Sequence, residues 1–457
     1  MSAQAESIAT SELKPVSTGV SAPISPDAAR GGIYLAIRYG LGVLVGVGNM
    51  LVMTWWIGPH AYGLFVTAIA IVTVLASIAR GGVDTYLVRC EAHPDSLMIG
   101  TATTLIALMS LGSTLLGAAL APLLIHWYGS REFVAPYLLL LSTIPITAMT
   151  ALPMARLERA LSFRPIAGIE LSAQCAGLLV AAFLAWRHAG VWAPVMGQIA
   201  WQSFTLIAAA ISASFGFRLS FNRQQARAML SYGAGLTASM RTWQLRGLVN
   251  PLLVGRFAGA EAVAFVALAI RIAESLGTFR LAAGRIAIAA LARLQARRDD
   301  FRKAVEQAAY LQVIILAPLL CGFALLGPLV LPRIAGARWL PSLAVYPFIA
   351  LGVLVNSVYN LQASALFVIG KQWAVMHCYS IHVVILALST FVLLPKLGIA
   401  AYGWAELLAC AAYFVIHSGL AAEIEISYRK LMPWIVVSSA CLFLTSASRS
   451  VMHLLKP

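Results

Sequence analysis

Along this chain apolar residues come in runs of about twenty, the length a helix needs to cross the hydrocarbon of a bilayer, and polar residues gather between them. Thirteen runs can be placed, at 32–55, 63–80, 97–126, 134–154, 165–186, 190–214, 230–255, 262–290, 305–332, 342–367, 373–394, 398–420 and 432–453. Lipid offers no hydrogen bonds, so a spanning segment must satisfy its own backbone, and a helix does this residue by residue. The pattern therefore predicts an all-α polytopic membrane protein. Arg80-Gly81-Gly82-Val83-Asp84 interrupts the second run at its end. The first thirty residues, rich in Ala, Ser and Pro and without an apolar core, read as a disordered tail and not as a cleaved signal peptide.

Two stretches repeat weakly. Gly58-Pro59-His60-Ala61-Tyr62-Gly63-Leu64-Phe65-Val66-Thr67-Ala68 lies without a gap over the stretch from Gly259 to Ala269, with identity at Gly58, Ala61 and Ala68. Each copy joins the first two spans of its half, and Arg38 in the first span is matched by Arg241 in the seventh. Six spans per half is an even number, so both halves enter the membrane in the same direction. Such parallel repeats are related by an axis along the membrane normal, with a site between them in transporters. The expected organisation is a cytoplasmic tail (1–30), two parallel-related six-helix bundles (31–217 and 218–421) around a central cavity, and one extra C-terminal helix (422–457).

Composition agrees with the pattern. Of 457 residues 60% are hydrophobic and 11% charged, and the mean hydropathy is +0.85, which no ordinary soluble domain shows. The net charge of +15 would suit a nucleic-acid partner, but the cations are dispersed between the spans. With the N-terminus inside, and six intramembrane arginines set aside, eighteen Lys and Arg fall on the cytoplasmic side and eight on the outer side. That is a positive-inside bias. The most charged connection, Ala292 to Glu306, is expected to be a cytoplasmic helix extension. The six cysteines have no paired spacing and read as small buried hydrophobes.

The charges that do enter the apolar runs cluster between Ser231 and Leu291, where Arg241, Arg246, Arg271, Glu274, Arg280 and Arg285 stand. A charge at bilayer depth costs several kcal/mol unless it faces a wet cavity or a partner. Five arginines cannot all pair with one glutamate. At about 100° per residue, Arg271, Glu274, Thr278 and Arg285 share an arc of roughly 60°, while Arg280 points away. Counted at ~1.5 Å per residue, Arg271 and Arg241 both come to lie near the midplane. Arg271 and Glu274, at i and i+3, can alternatively form a structural ion pair. Of the other intramembrane acids, Glu170 lies near a cytoplasmic end, and Glu406 has no basic residue within a turn. Glu274 and Glu406 are the candidates for carrying a coupling ion.

No catalytic constellation is present. The eight histidines are scattered, without H-E-x-x-H spacing, and there is no phosphate-binding G-x-x-x-x-G-K-[ST] loop. His377 and His382 share an apolar run and read as packed, hydrogen-bonded residues. Nothing points to a metal, a cofactor or an enzyme.

Three stretches carry a resemblance. Trp56-Ile57-Gly58-Pro59-His60-Ala61-Tyr62-Gly63-Leu64-Phe65 resembles the LGPxxYGLF turn of bacterial polysaccharide flippases. Leu152 to Arg164 is similar to their R-x-L-x-F-R loop, and Gly336-Ala337-Arg338-Trp339-Leu340-Pro341 to their G-x-x-W-x-P stretch. Their order and spacing from Arg30 to about Trp373 mark a resemblance to the O-antigen, capsule and exopolysaccharide branch of the multidrug/oligosaccharidyl-lipid/polysaccharide exporter superfamily. That resemblance implies a transporter in the bacterial inner membrane that flips undecaprenyl-diphosphate-linked oligosaccharide from the cytoplasmic to the periplasmic face. It also implies the polysaccharide polymerase and chain-length machinery as further partners beside the lipid bilayer.

The residues suit that task independently. A diphosphate favours guanidinium forks, and Arg38, Arg241, Arg246 and Arg271 come from the opening spans of the two halves. With Glu274, Trp243 and Gln244 they form the expected substrate-binding set. Tyr232, Asn250 and Trp201 are further candidates for a sugar. A cation antiporter of the same superfamily would want an acidic cavity, and six arginines against three glutamates oppose it. A glycan-assembling membrane enzyme would carry a large outer loop, and no outer connection here exceeds about a dozen residues.

An odd number of spans places the termini on opposite sides. Reporter fusions at Ala29 and after Pro457 are expected to show the first in the cytoplasm and the second in the periplasm. Both reporters on one side would remove a span, with 432–453 the first suspect.

Overall fold

A computed structural model describes residues 40–42, 44–90, 94–278, 291, 294 and 297–454, with the backbone alone at 234–241 and 445–454. Among these residues every regular element is helical. The first bundle contains α1 (Gly40–Ile57), α2 (Pro59–Arg80), the short α3 (Val83–Arg89), α4 (Ser96–Tyr128), α5 (Val134–Leu141), α6 (Thr143–Arg159), α7 (Phe163–Trp186) and α8 (Trp192–Ser212). The second contains α9 (Arg223–Val249), α10 (Gly255–Leu276), α11 (Arg298–Ile334), α12 (Ser342–Val368), α13 (Gln372–Leu397), α14 (Ala400–Ala409) and α15 (Tyr413–Ala421). A last helix, α16 (Met432–Leu454), packs on α11 and α12.

Side chains start the helices where the chain leaves water. The Asp95 carboxylate accepts from the Met98 amide at 2.7 Å. The Asn222 side chain accepts from Gln224 and Gln225, so α4 and α9 are both capped. Each bundle has its own core, around Val72, Ile106, Tyr137 and Ile144 in the first and Val263, Leu316, Tyr346 and Leu354 in the second. The helix α9 belongs to both. Its first turns join the first core through Ala226 and Met229, and its length packs on α13 of the second bundle.

The weak repeat in the sequence is a repeat in the backbone. Gly58 (φ 82°, ψ 165°) and Gly259 (φ 84°, ψ 175°) adopt nearly the same left-of-centre conformation, which glycine alone enters without strain. Each follows a π-helical turn, Met53–Ile57 in one half and Asn250–Val254 in the other. Eleven described helices are long and apolar enough to cross a membrane; one of them, Thr242–Leu276, is broken at Gly259, and α16 adds a shorter apolar stretch, Met432–Leu444. Dividing Thr242–Leu276 at that break and counting Met432–Leu444 gives thirteen segments; the eighth ends at Leu276, inside the run 262–290, whose residues 279–290 lie outside the described ones.

The bundles meet along α2 and α10. The approach is close enough that a Cβ on Gly63 would overlap the Ala260 carbonyl. At the end that the charge bias assigns to the outside, hydrogen bonds cross the seam in both directions. The Arg338 guanidinium donates to the carbonyls of Thr54 (2.7 Å) and Trp55 (2.5 Å), and the Trp339 indole to Thr54 at 3.0 Å. The Trp55 indole donates back to the Ile334 carbonyl. From the other side, the Tyr128 hydroxyl donates to Pro251 (3.0 Å) and the Trp127 indole to Leu252 (2.9 Å). Carbonyls of both π turns are thus satisfied by the opposite bundle. Trp339, fully buried, also meets Tyr62 edge to face at 5.8 Å.

At the opposite end Arg298 to Glu306 forms the first turns of α11, the helix extension that its charge pattern suggests. There Lys371 and Arg298 both reach Glu423, at 2.6 and 4.0 Å. The hydrogen bond from Lys371 holds that exposed carboxyl below its usual range.

If the crossed hydrogen bonds latch the outer face, loosening them exposes the interior from that side. With the six native cysteines replaced, a Met53→Cys probe should label several-fold faster with a membrane-impermeant maleimide once Arg338→Ala and Trp127→Phe are added, since about three hydrogen bonds across the seam are lost. Equal labelling rates would show that the seam is held by apolar packing alone.

Candidate functional site

Between the bundles lie two chambers, of about 480 and 490 Å³. Six residues wall both of them: Gly42, Gly46, Gln174, Arg246, Arg271 and Glu274. They form a waist. The chamber toward the cytoplasmic end adds Trp243, Thr278, Asn356, Asn360, Tyr379, Glu406 and Tyr413. The outer chamber is more apolar, with Met50, Met53, Phe65, Ile69 and Leu178 beside Trp201, Asn250 and Tyr402.

Helix periodicity explains how α10 presents its charges. Ile272 and Ala273 are buried, while Arg271 and Glu274 are exposed toward the chambers. Although they stand at i and i+3, no ion pair joins them, so the structural-pair alternative does not hold. Among the described residues neither has an opposite charge within 4.0 Å. The Arg271 guanidinium reaches across to α1, where it would lie 3.6 Å from a Cβ on Gly46.

Arg246 behaves differently. Its guanidinium forks onto Glu406, with Nη2 2.6 Å from Oε1 and Nε 3.4 Å from Oε2, and stands 5.2 Å from the Trp243 ring centroid. Glu406 is 3% exposed. Room for it comes from Gly352, where a Cβ would approach the Glu406 Cγ to 3.0 Å. Two readings from the sequence are corrected here. Glu406 lacks a base within its own helical turn, but its partner arrives from α9, 160 residues away. Arg246 is not a free cation. Breaking such a buried pair by removing one partner typically costs about 3–5 kcal/mol.

The remaining candidates divide. Trp243 lines the inner chamber and packs on Tyr379, ring centroids 4.7 Å apart at 44°. Gln244, expected to touch substrate, is exposed and walls neither chamber, because one residue along α9 turns the side chain about 100° away. Arg38, Arg280 and Arg285 lie outside the described residues, and Arg241 lies where only the backbone of α9 is described. Among the described residues the waist and inner chamber hold two arginines and two glutamates, so the strongly basic cavity expected from the sequence is not seen in this part of it. Trp201 and Asn250 wall the outer chamber, the latter donating from Nδ2 to the Val263 carbonyl at 3.2 Å. Tyr232 packs against Tyr86 away from both chambers, and Glu170 lines a separate cavity of about 330 Å³ with Arg80, Asp84 and Arg89.

Several wall residues went unread in the sequence. Gly352, Asn356 and Asn360 fall at i, i+4 and i+8 of α12, which puts a notch and two amides on one face. Amides repeating at helical spacing inside an apolar run are a signal that could have found them. Asn356 donates to the Tyr413 hydroxyl at 2.7 Å.

The model of the polysaccharide biosynthesis protein family matches residues 52–344, more than half of the chain. No curated protein sequence matches. Among solved structures the fold resembles the lipid II flippase MurJ in an inward closed conformation, over 94% of this chain and 100% of that one (TM-score 0.70, 12% identity). It also resembles an inward-facing multidrug resistance MATE family transporter of the MOP superfamily, over 91% and 99% (TM-score 0.66, 14% identity). The eukaryotic MATE transporter AtDTX14 is similar over 90% and 97% (TM-score 0.60, 13% identity). At these identities the likeness is one of fold. The flippase-like motifs at Trp56 to Phe65 and Gly336 to Pro341 both fall within the matched stretch. The chain is a multi-pass membrane protein that belongs to the polysaccharide biosynthesis protein family, built on the fold of MurJ and the MATE transporters.

Proposed function

We propose that this protein flips an undecaprenyl-diphosphate-linked oligosaccharide from the cytoplasmic to the periplasmic face of the bacterial inner membrane, supplying exopolysaccharide, capsule or O-antigen synthesis. The two chambers open alternately around the waist. Arg271 carries the reading: it faces both chambers and, among the described residues, has no carboxylate within 4.0 Å. A cation left open at bilayer depth is costly and is suited to an anion that visits and leaves. The diphosphate takes Arg271 and Arg246 as bidentate donors, joined by Arg38 and Arg241 from the same opening spans. The sugars use the ring faces of Trp243 and Tyr379 and the amides of Asn356 and Asn360, all on the inner chamber wall. The polyprenyl tail stays in lipid. Glu274, exposed at the waist, is the carboxylate left for ion coupling, since Glu406 is tied to Arg246.

Flipping is measured in proteoliposomes with a fluorescently labelled lipid-diphosphate sugar. Arg271→Ala should slow it at least tenfold, about 1.4 kcal/mol or more of lost stabilisation, with insertion and abundance unchanged. Arg271→Lys should recover only part, because the charge remains but the fork is lost. Full activity in Arg271→Ala would refute the assignment.

A dianion leaving a negative interior moves downhill by roughly 2.3 kcal/mol per charge per 100 mV. If the arginines stay at the waist while the chambers open around them, an interior-negative potassium-valinomycin potential should accelerate export. A rate indifferent to potential but steep in a pH gradient would oppose this and move the weight to Glu274 as a proton carrier.

A further inference from the structure

Arg246 faces both chambers, yet its fork is already occupied by Glu406. An oxyanion that takes the Nε/Nη2 edge of this guanidinium must displace the carboxylate, whereas one that takes the Nη1 edge leaves it in place. A carboxylate displaced inside the protein needs another donor, because an unpaired buried charge is far costlier than a paired one.

One donor stands beside it. His382 of α13 is 0% exposed, and its Nε2 lies 3.9 Å from Glu406 Oε1. Neither ring nitrogen makes a hydrogen bond of good geometry among the described residues, but the Ala409 carbonyl stands where it acts on the ring as a weak acceptor. Buried polar groups without a hydrogen bond are uncommon and ask for an explanation. The ring is held between Trp243 and Tyr413, at centroid distances of 5.2 and 5.4 Å. The Tyr413 hydroxyl is itself engaged by Asn356. A shift of about 1 Å by the carboxylate would bring it within hydrogen-bond range of Nε2.

We infer that His382 is a positioning residue that receives Glu406 when the substrate's diphosphate takes Arg246. The carboxylate passes from the guanidinium to the imidazole Nε2–H, and it returns when the substrate leaves. The neutral ring has one N–H, so the exchange uses the Nε2–H tautomer and gives up any hold of the Ala409 carbonyl on that proton; no proton changes hands. Glu406 thereby competes with the substrate for Arg246, which keeps headgroup binding loose enough to be reversed. This inference rests on the diphosphate reading of the waist.

The test uses the full-length protein in nanodiscs, with inorganic diphosphate and farnesyl diphosphate as probes and calorimetry as readout. Glu406→Gln removes the competitor's charge and should bind both probes about tenfold more tightly. His382→Phe keeps the ring but loses the donor, leaves the displaced carboxylate stranded, and should bind about tenfold more weakly. His382→Gln restores a donor and should recover most of that loss. In the Glu406→Gln background His382→Phe should cause no further loss, since no carboxylate remains to be received; such non-additivity is what a double-mutant cycle isolates.

An equal loss from His382→Phe in both backgrounds would show a packing role and overturn the exchange. Weaker binding by Glu406→Gln would overturn it too, because Glu406 would then be orienting Arg246 for the substrate. Should His382→Phe fail to fold, His382→Gln against His382→Ala carries the same comparison. Absence of probe binding by the wild-type protein would remove the diphosphate reading and this inference together. Binding by the wild type with additive His382 effects removes the exchange alone.

Discussion

A carbonyl that loses its helical partner inside a bilayer has no water to turn to, and leaving it bare costs several kcal/mol. The joint between the two bundles is built on that constraint. Helix geometry is relaxed at Met53–Ile57 and again at Asn250–Val254, and at both places carbonyls accept from the other bundle. Thr54 and Trp55 are served by Arg338 and Trp339, and Pro251 and Leu252 by Tyr128 and Trp127. Donors and acceptors occupy matching positions in the two halves: a turn after the first span of each half, and the outer end of the third. Parting the bundles at this end strips these groups at once, and only water entering from outside can replace the donors. In the proposed cycle these bonds have to open and re-form as a set, a switch between two arrangements of the bundles.

The waist solves a different problem, that of holding an anion without keeping it. At an effective dielectric of 20, one pair of unit charges about 4 Å apart is worth about 4 kcal/mol. With Arg246 engaged by Glu406 at 2.6 Å, Arg271 is, among the described residues, the waist guanidinium with no carboxylate within 4.0 Å, and it stands beside the exposed carboxylate of Glu274. The neighbouring carboxylates lower the attraction that these two arginines offer an arriving anion. A carrier that must let go on the far side gains from that weakening.

How much of this could be read beforehand depends on the range over which each interaction acts. The helices, the interruption at Gly81-Gly82, the weak repeat and the charge bias are local, and α2 and α11 lie where the hydropathy put them, while α10 ends at Leu276, inside the run read as 262–290. Arg271 could be placed because helix phase turns it and Glu274 to one face, and Trp243, expected as a sugar contact, also lines the cavity. Gln244 could not, since a shift of one residue changes the face and the phase of α9 is set by its packing on α13. The Arg246–Glu406 pair was hidden for a stronger reason. Its members stand 160 residues apart, and only the packing of α9 against the second bundle brings them together. Trp339 illustrates the intermediate case: the motif around it was recognisable, but its work, donating to a carbonyl of α1, belongs to the assembled seam.

Direction is the remaining question, and the asymmetry of the chambers does not by itself answer it. Amides and ring faces line the inner chamber, whereas Met50, Met53, Phe65 and Ile69 make the outer one more apolar. A sugar headgroup in the proposed cycle would bind better on the cytoplasmic side and leave more readily on the other. Yet a difference in affinity between two states of one carrier changes the rates of loading and release, not the equilibrium across the membrane. Net movement needs a term outside the protein: the electrical field acting on the diphosphate, an ion that crosses with it, or removal of the flipped lipid by polymer synthesis. What the chambers can do is match the carrier to such a term. Tight capture inside suits a scarce cytoplasmic substrate, and loose holding outside lets a modest field, or modest consumption, keep the cycle turning one way.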